Sequence, residues 1–340
     1  MEKRRIGWVD VFRGLMIILM VVGHTWSPIN KQIYLFHVPA FFFISGYTAS
    51  SDKSWRLVLR KSFLNRLLPF FLWNLLLILL CCIIERISNG TITFTHSKEP
   101  SILLSNLFLF GYTTDMGGAT WFILALFWCG LLAKACFSVG IKFGFICEIL
   151  VTVIIVTGGY YLSTTAFQKP YCIDLGMIAV LFYQIGNWSK RKDWKGKIDR
   201  ISLGLVCVAV FLFHAIWWQY DQNWPTRVFG HFSVMVACSL AAIYLCCLIS
   251  QAVDKSRLGS VIRHIGARTY AIMCGHFIAF RLTSIVLGWL KLINQQDIST
   301  FPTPNSYWYI YAVIALLICV AVSKIAEYWK PTNYLVNARM

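Results

Sequence analysis

Ten apolar runs, each close to the roughly 20 residues that a helix needs to cross a bilayer, follow one another along this 340-residue chain with short loops between them. They cover residues 8–26, 33–49, 66–84, 119–135, 145–163, 173–188, 201–218, 230–250, 269–290 and 308–328. The pattern predicts an all-α, polytopic integral membrane protein of about ten transmembrane helices, forming one domain over 1–340. Composition agrees: 58% of residues are hydrophobic and 13% charged, against about 25% charged in a soluble domain. The stretch 102–112 is apolar but too short to cross, and reads as interfacial or re-entrant. No internal repeat, low-complexity tract or soluble domain interrupts the series.

The first run follows Lys3-Arg4-Arg5 and superficially resembles a signal peptide. It is too long for one, holds Asp10 and Arg13, and has no small-residue cleavage site, so it is read as an uncleaved helix. A formal charge of +17 would suggest nucleic acid in a soluble protein. Here the cations sit in short loops, where they fix topology. With the N-terminus inside, 23 of the 31 Lys and Arg residues fall in cytoplasmic segments and 6 in outer loops. That bias places both termini in the cytoplasm and leaves membrane lipid, not nucleic acid, as the partner. Trp and Tyr at 8, 26, 188, 217, 218, 308, 309 and 328 mark span ends as interfacial anchors.

The twelve cysteines lie almost all inside apolar runs, with no Cys-x-x-Cys pair and no His-x-x-x-His. They read as small packing residues, with no structural disulfide and no metal site expected.

Ionisable groups inside spans are functional candidates, because burying a charge in lipid costs at least about 2.5–3.5 kcal/mol. The first run holds Asp10, Arg13 and His24. Arg13 and His24 are eleven residues apart, which on a helix returns to within about 20° of one face, roughly 16 Å along the axis. One face thus presents a cation near the cytoplasm and an imidazole near the outside. The structural alternatives are snorkelling of Arg13 or its i,i+3 pairing with Asp10, and, for His24, a polar residue meeting interfacial water.

The second run contains Phe36-His37-Val38-Pro39 and then Ser45-Gly46-Tyr47, whose small residues suit close helix packing. Arg66 opens the third run with Pro69 in its first turn. Arg60, Lys61 and Arg66 form a basic cluster, either a topology signal or an anion site for donor phosphates. His276 and Arg281 lie inside the ninth run. Asp174, Asp115 and Glu85 lie near outer ends, where a carboxylate can orient an imidazole.

Trp8-Val9-Asp10-Val11-Phe12-Arg13-Gly14, the spacing from Arg13 to His24, and His37-Val38-Pro39-Ala40-Phe41-Phe42-Phe43-Ile44-Ser45-Gly46-Tyr47 resemble the membrane-bound acyltransferase family three. Looser matches are Arg66-Leu67-Leu68-Pro69, Thr120-Trp121-Phe122-Ile123 and Tyr270 to His276. The family includes bacterial O-acetylases of surface carbohydrates, fucose 4-O-acetylase-like members among them. The resemblance implies a bacterial inner-membrane O-acyltransferase using cytoplasmic acetyl-CoA or another acyl-CoA, with a carbohydrate or lipid-linked sugar as acceptor. His24 would be essential, with Arg13 and Asp10 at the other end of the same helix also counted as catalytic, and Arg13 would serve the donor together with Arg66, Arg60 and Lys61. His37, Ser45, Trp121 and His276 are further candidates. Phe63 stands where the family has a second basic residue, which weakens the donor-site carry-over. A neutral imidazole suits deprotonation of a sugar hydroxyl attacking a thioester. The alternative class, a transporter or lipid-linked-sugar flippase, fits ten spans with internal charges, but the chain lacks the inverted repeats many such proteins show. A receptor or purely structural role leaves the shared face of Arg13 and His24 unexplained.

Overall fold

The computed structural model describes residues 6–50, 54–89, 100–112, 114–167, 169–192, 200–217, 221–294, 302 and 307–338. The cations counted above at 3–5, 53, 98, 195, 197 and 339, and Trp218, lie outside them. In chain order the helices are α1 (Gly7–Gly23), α2 (Asn30–Thr48), α3 (Trp55–Ser62), α4 (Leu68–Asn89), α5 (Pro100–Phe110), α6 (Trp121–Phe143) and α7 (Phe145–Thr164). They continue with α8 (Ile173–Arg191), α9 (Arg200–Trp217), α10 (Phe232–Val253), α11 (Arg257–Gly266), α12 (Thr269–Trp289), α13 (Trp308–Ala326) and α14 (Lys330–Asn337). Each of the ten apolar runs falls on a helix. Among the described residues six helices are long and apolar enough to cross a membrane: the continuous Trp55–Ile83 stretch, α6, α7, α10, α12 and α13. The chain is an all-α polytopic membrane protein.

Two compact units divide the chain. The first comprises residues 1–49, 182–269 and 302–316, and the second 50–181, 270–301 and 317–340.

In the first unit α1 packs against α2, α10 and α11. The contact with α11 is backbone on backbone. A Cβ on Gly14 would fall 2.1 Å from the Ile262 carbonyl oxygen, and one on Gly266 would fall 2.0 Å from that of Asp10. Gly46 of α2 and Gly186 of α8 make a second such crossing, meeting the carbonyls of Tyr183 and Phe43. Small residues let helices approach this closely where no hydrophobic effect drives them together.

The segment joining α9 to α10, expected as a loop, is built inward. Asn223 and Val228 form an isolated antiparallel bridge, and between them Trp224 is only 1% exposed. Its indole lies 5.9 Å from the Phe42 ring, 6.3 Å from Phe182 and 5.4 Å from Phe229. Lys31, in the first turn of α2, pairs with Asp221 at 3.0 Å.

In the second unit α7 shows the inverted polarity of a lipid-facing helix. Ile146, Leu150 and Ile154 are exposed, while Glu148 is 1% exposed and Thr152 is buried with it. Apolar side chains turned outward and polar ones inward are what a bilayer solvent selects.

The third apolar run departs from its reading. Its helix does not begin at Arg66 but at Trp55, behind the N-cap Ser54. Pro69 therefore sits inside a continuous helical stretch, where it removes a donor and crowds the preceding turn. The chain absorbs this with a π turn, Phe63–Leu67, in which the Leu68 N–H reaches the Phe63 carbonyl. The next donor in that register would be residue 69, a proline. The carbonyl it would have served, that of Leu64, accepts a hydrogen bond from the Tyr334 hydroxyl of α14. That helix is itself locked to α13, where the buried Ser323 hydroxyl donates to Asn337 Oδ1 at 2.6 Å and Asn337 Nδ2 donates to the Ser323 carbonyl at 3.1 Å.

Candidate active site

α1 carries two polar clusters, one at each end. At its start, Arg13 Nη1 lies 3.5 Å from Asp10 Oδ1, the i,i+3 pair. Its other amino group donates to Thr48 Oγ1 of α2 at 3.1 Å. Thr48 passes its own proton to the Ile44 carbonyl at 2.9 Å, so its oxygen presents a lone pair to the guanidinium. Arg13 is the more open of the pair, 34% exposed at the side chain against 14% for Asp10. The guanidinium is thus oriented by two elements while remaining partly exposed. α11 backs this region, since the Gly266 contact falls on the Asp10 carbonyl.

At the other end His24 is not within α1 but caps it, one residue past Gly23. Its Nδ1 stands 2.8 Å from the Met20 carbonyl. A carbonyl only accepts, so Nδ1 carries the hydrogen and Nε2 carries the lone pair. The His24 ring makes edge contacts with Tyr34 at 5.7 Å and His37 at 6.3 Å, and Tyr34 lies 5.3 Å from His37. His37 repeats the arrangement, with Nδ1 at 2.8 Å from the Ile33 carbonyl, and is buried. Two imidazoles of the same tautomer and a phenol therefore form one cluster. Ser45 is not part of it, because its hydroxyl is turned back to the Phe41 carbonyl at 2.7 Å.

The second unit holds the remaining candidates. The π turn sets Arg66, half-buried, so that its Nη1 donates to the Leu126 carbonyl of α6 at 3.1 Å. The guanidinium rests where a Cβ on Gly130 would come within 2.4 Å of Nη1, so a larger residue there would make the guanidinium shift. Arg60 and Lys61 are exposed in the last turn of α3. Trp121 opens α6, half-buried, its ring 6.1 Å from Phe122. His276 is buried in α12, its Nδ1 near the Ile272 and Met273 carbonyls at 3.0 and 2.9 Å, against the Phe277 ring at 4.3 Å. Arg281 and Asp174 are buried, Asp115 is exposed, and the side chain of Glu85 lies outside those described.

The sequence reading missed Tyr34, Thr48 and Glu148. Tyr34 stands three residues before His37, on the same side of α2, and that spacing was its one available signal. Thr48 and Glu148 gave none, since a hydroxyl and a carboxylate near a span end are common.

A polytopic helical membrane protein with a tautomerically fixed imidazole at one end of a helix and an oriented cation at the other has the parts of a membrane acyl-transfer enzyme. A family model described as an acyltransferase domain matches residues 6–324, and the chain belongs to that acyltransferase family three. Among curated proteins it is similar to the nodulation protein NolL of Mesorhizobium japonicum, 24% identical over 351 residues, covering 94% of this chain and 86% of the relative. It is also similar to the nodulation protein NolL of Sinorhizobium fredii, 31% identical over 146 residues, covering 37% of this chain and 35% of that protein. No solved structure matches. The protein is a membrane acyltransferase.

Proposed function

We propose that the protein transfers an acetyl or similar acyl group from cytoplasmic acyl-coenzyme A to a hydroxyl of a cell-surface or exported carbohydrate, in the bacterial inner membrane with both termini cytoplasmic. The observation that carries this reading is the fixed tautomer of His24, whose Nε2 bears a lone pair because Nδ1–H is held by Met20. Its Nε2 takes the proton from the acceptor hydroxyl as the oxygen attacks the thioester carbonyl. The C–O bond forms, the C–S bond breaks, and the thiolate of coenzyme A leaves and takes up a proton. Asp10 and Thr48 orient Arg13, which binds a donor phosphate. Arg66, exposed Arg60 and exposed Lys61 are the further cations assigned to the donor phosphates, on the strength of their charge. His37 and Tyr34 shape the imidazole's surroundings, while Trp121 and His276 stand as secondary candidates.

The test is transfer of radiolabelled acetyl from acetyl-coenzyme A to surface glycan by membranes holding the protein at matched levels, with Arg66→Ala alongside the wild type. Loss of a charge-assisted contact is worth about 1.5–3 kcal/mol, so Arg66→Ala raises the donor KM about 10- to 150-fold. No acetyl on any glycan in the wild-type membranes overturns the reading.

A further inference from the structure

We propose that Tyr334 is a positioning residue for donor binding, acting through the backbone of the π turn that presents Arg66. The inference rests on Arg66 serving the donor, and it assigns the C-terminal helix a part in that site. Two features of the sequence make the contact necessary. Pro69 has no N–H to give, and the π register has already committed the Leu68 N–H to Phe63. A carbonyl left without a partner in a buried or lipid-facing helix carries a penalty of about 1–3 kcal/mol, and sliding back toward an ordinary α register would return the Leu68 N–H to Leu64 and shift the missing donor of Pro69 to the Asn65 carbonyl. In that register every side chain before the bulge rotates by about one residue, near 100°.

Arg66 lies inside the five residues that would rotate. Its guanidinium meets α6 through Nη1, which bonds the Leu126 carbonyl and lies closest to Gly130. A rotation of that size takes it off both. The Tyr334 hydroxyl bonds to Leu64, two residues before Arg66, and so fixes the register in which Arg66 meets α6. The helix that delivers Tyr334 is itself fixed, by the Ser323–Asn337 pair and by Asn337 Nδ2 donating to Asn333 Oδ1 at 2.8 Å.

The experiment measures the Kd for acetyl-coenzyme A on the purified full-length protein in detergent by titration calorimetry. Tyr334→Phe keeps the ring and its packing and removes one hydroxyl. Its Kd is expected to rise about 3- to 10-fold, the scale of one net hydrogen bond. Combined with Arg66→Ala it adds nothing beyond Arg66→Ala alone, because Tyr334 acts only through that side chain. Pro69→Ala supplies the missing N–H at the same carbonyl, so Tyr334→Phe in that background leaves the Kd unmoved. An unchanged Kd in Tyr334→Phe, additivity with Arg66→Ala, or an equal loss in the Pro69→Ala background overturns the proposal. If Arg66→Ala itself binds acetyl-coenzyme A as the wild type does, the donor-site reading fails first and the role of Tyr334 falls with it.

Discussion

His24 and His37 stand edge to face at 6.3 Å, each with its Nδ1 on the carbonyl one turn behind it. The two rings come from different helices, yet one local device, an imidazole folded back on its own helix, gives both the same tautomer. Two Nε2 lone pairs cannot share a hydrogen bond with each other, since neither nitrogen carries a hydrogen to donate.

From this follows a ranking of substitutions. His24→Ala lowers acetyl transfer about 10²–10⁴-fold, the usual yield of general-base assistance, with the protein still accumulating in the membrane. His24→Gln does no better, because an amide hydrogen-bonds without accepting a proton. His37→Ala loses less, since it removes a neighbour of the base and leaves the base. Radiolabel transfer at matched expression checks the order, and wild-type rates in His24→Ala would remove the mechanism.

Gly266→Ala tests the seat of Arg13. The added methyl meets the Asp10 carbonyl oxygen at 2.0 Å, a backbone atom that can move only with its helix. Overpacking of this kind costs about 1–3 kcal/mol, and displacement of α1 carries Asp10 and Arg13 with it. Both the thermal midpoint in detergent and the affinity for acetyl-coenzyme A are expected to fall. Gly204→Ala in α9, whose nearest neighbour is the end of a Leu248 side chain at 3.7 Å, is the control and leaves both unchanged or slightly improved.

Trp224→Ala empties an aromatic site inside the first unit and is expected to destabilise by about 3–5 kcal/mol, as large aromatic-to-alanine changes in cores do. Lys31→Ala, breaking the exposed pair with Asp221 in the same segment, changes stability by no more than about 1 kcal/mol. Thermal melts of the two variants should separate clearly. Similar midpoints would mean that the indole is not a core residue.

Orientation is tested with reporters. Fusions after residue 193, 256 or 340 are expected on the cytoplasmic side, and insertions near Asn89, Asn223 or Thr303 on the outside, following the 23-to-6 distribution of cations. Positions 193, 303 and 340 lie outside the described residues. Labelling of the 190–200 segment from outside would reverse the arrangement.

Helices were legible because a bilayer leaves the backbone only helices or closed barrels, and apolar runs near 20 residues select the helix. Arg13, His24 and His37 were legible because charged or titratable groups are rare enough in such runs to stand out. Thr48 could not be found, since its part depends on its hydrogen going to Ile44 so that its oxygen meets Arg13. Trp224 read as a loop residue because the neighbours that bury it, Phe42 and Phe182, lie far off in sequence. Pro69 was assigned to a first turn by its distance from Arg66. The polar face of α3 hid the fact that the helix had begun eleven residues earlier at Trp55.

The Leu64–Tyr334 contact spans 270 residues, and this sets an order in time. A ribosome adding about 5–20 residues per second delivers the hydroxyl roughly 14 to 54 s after the carbonyl that receives it. Through that interval Leu64 has water or lipid headgroups for company, and the register around Arg66 is open to change. If Tyr334 positions Arg66 as proposed, a nascent chain can insert and pack its early helices before it can hold a donor. On the role proposed for Tyr334, competence for the thioester waits for α14.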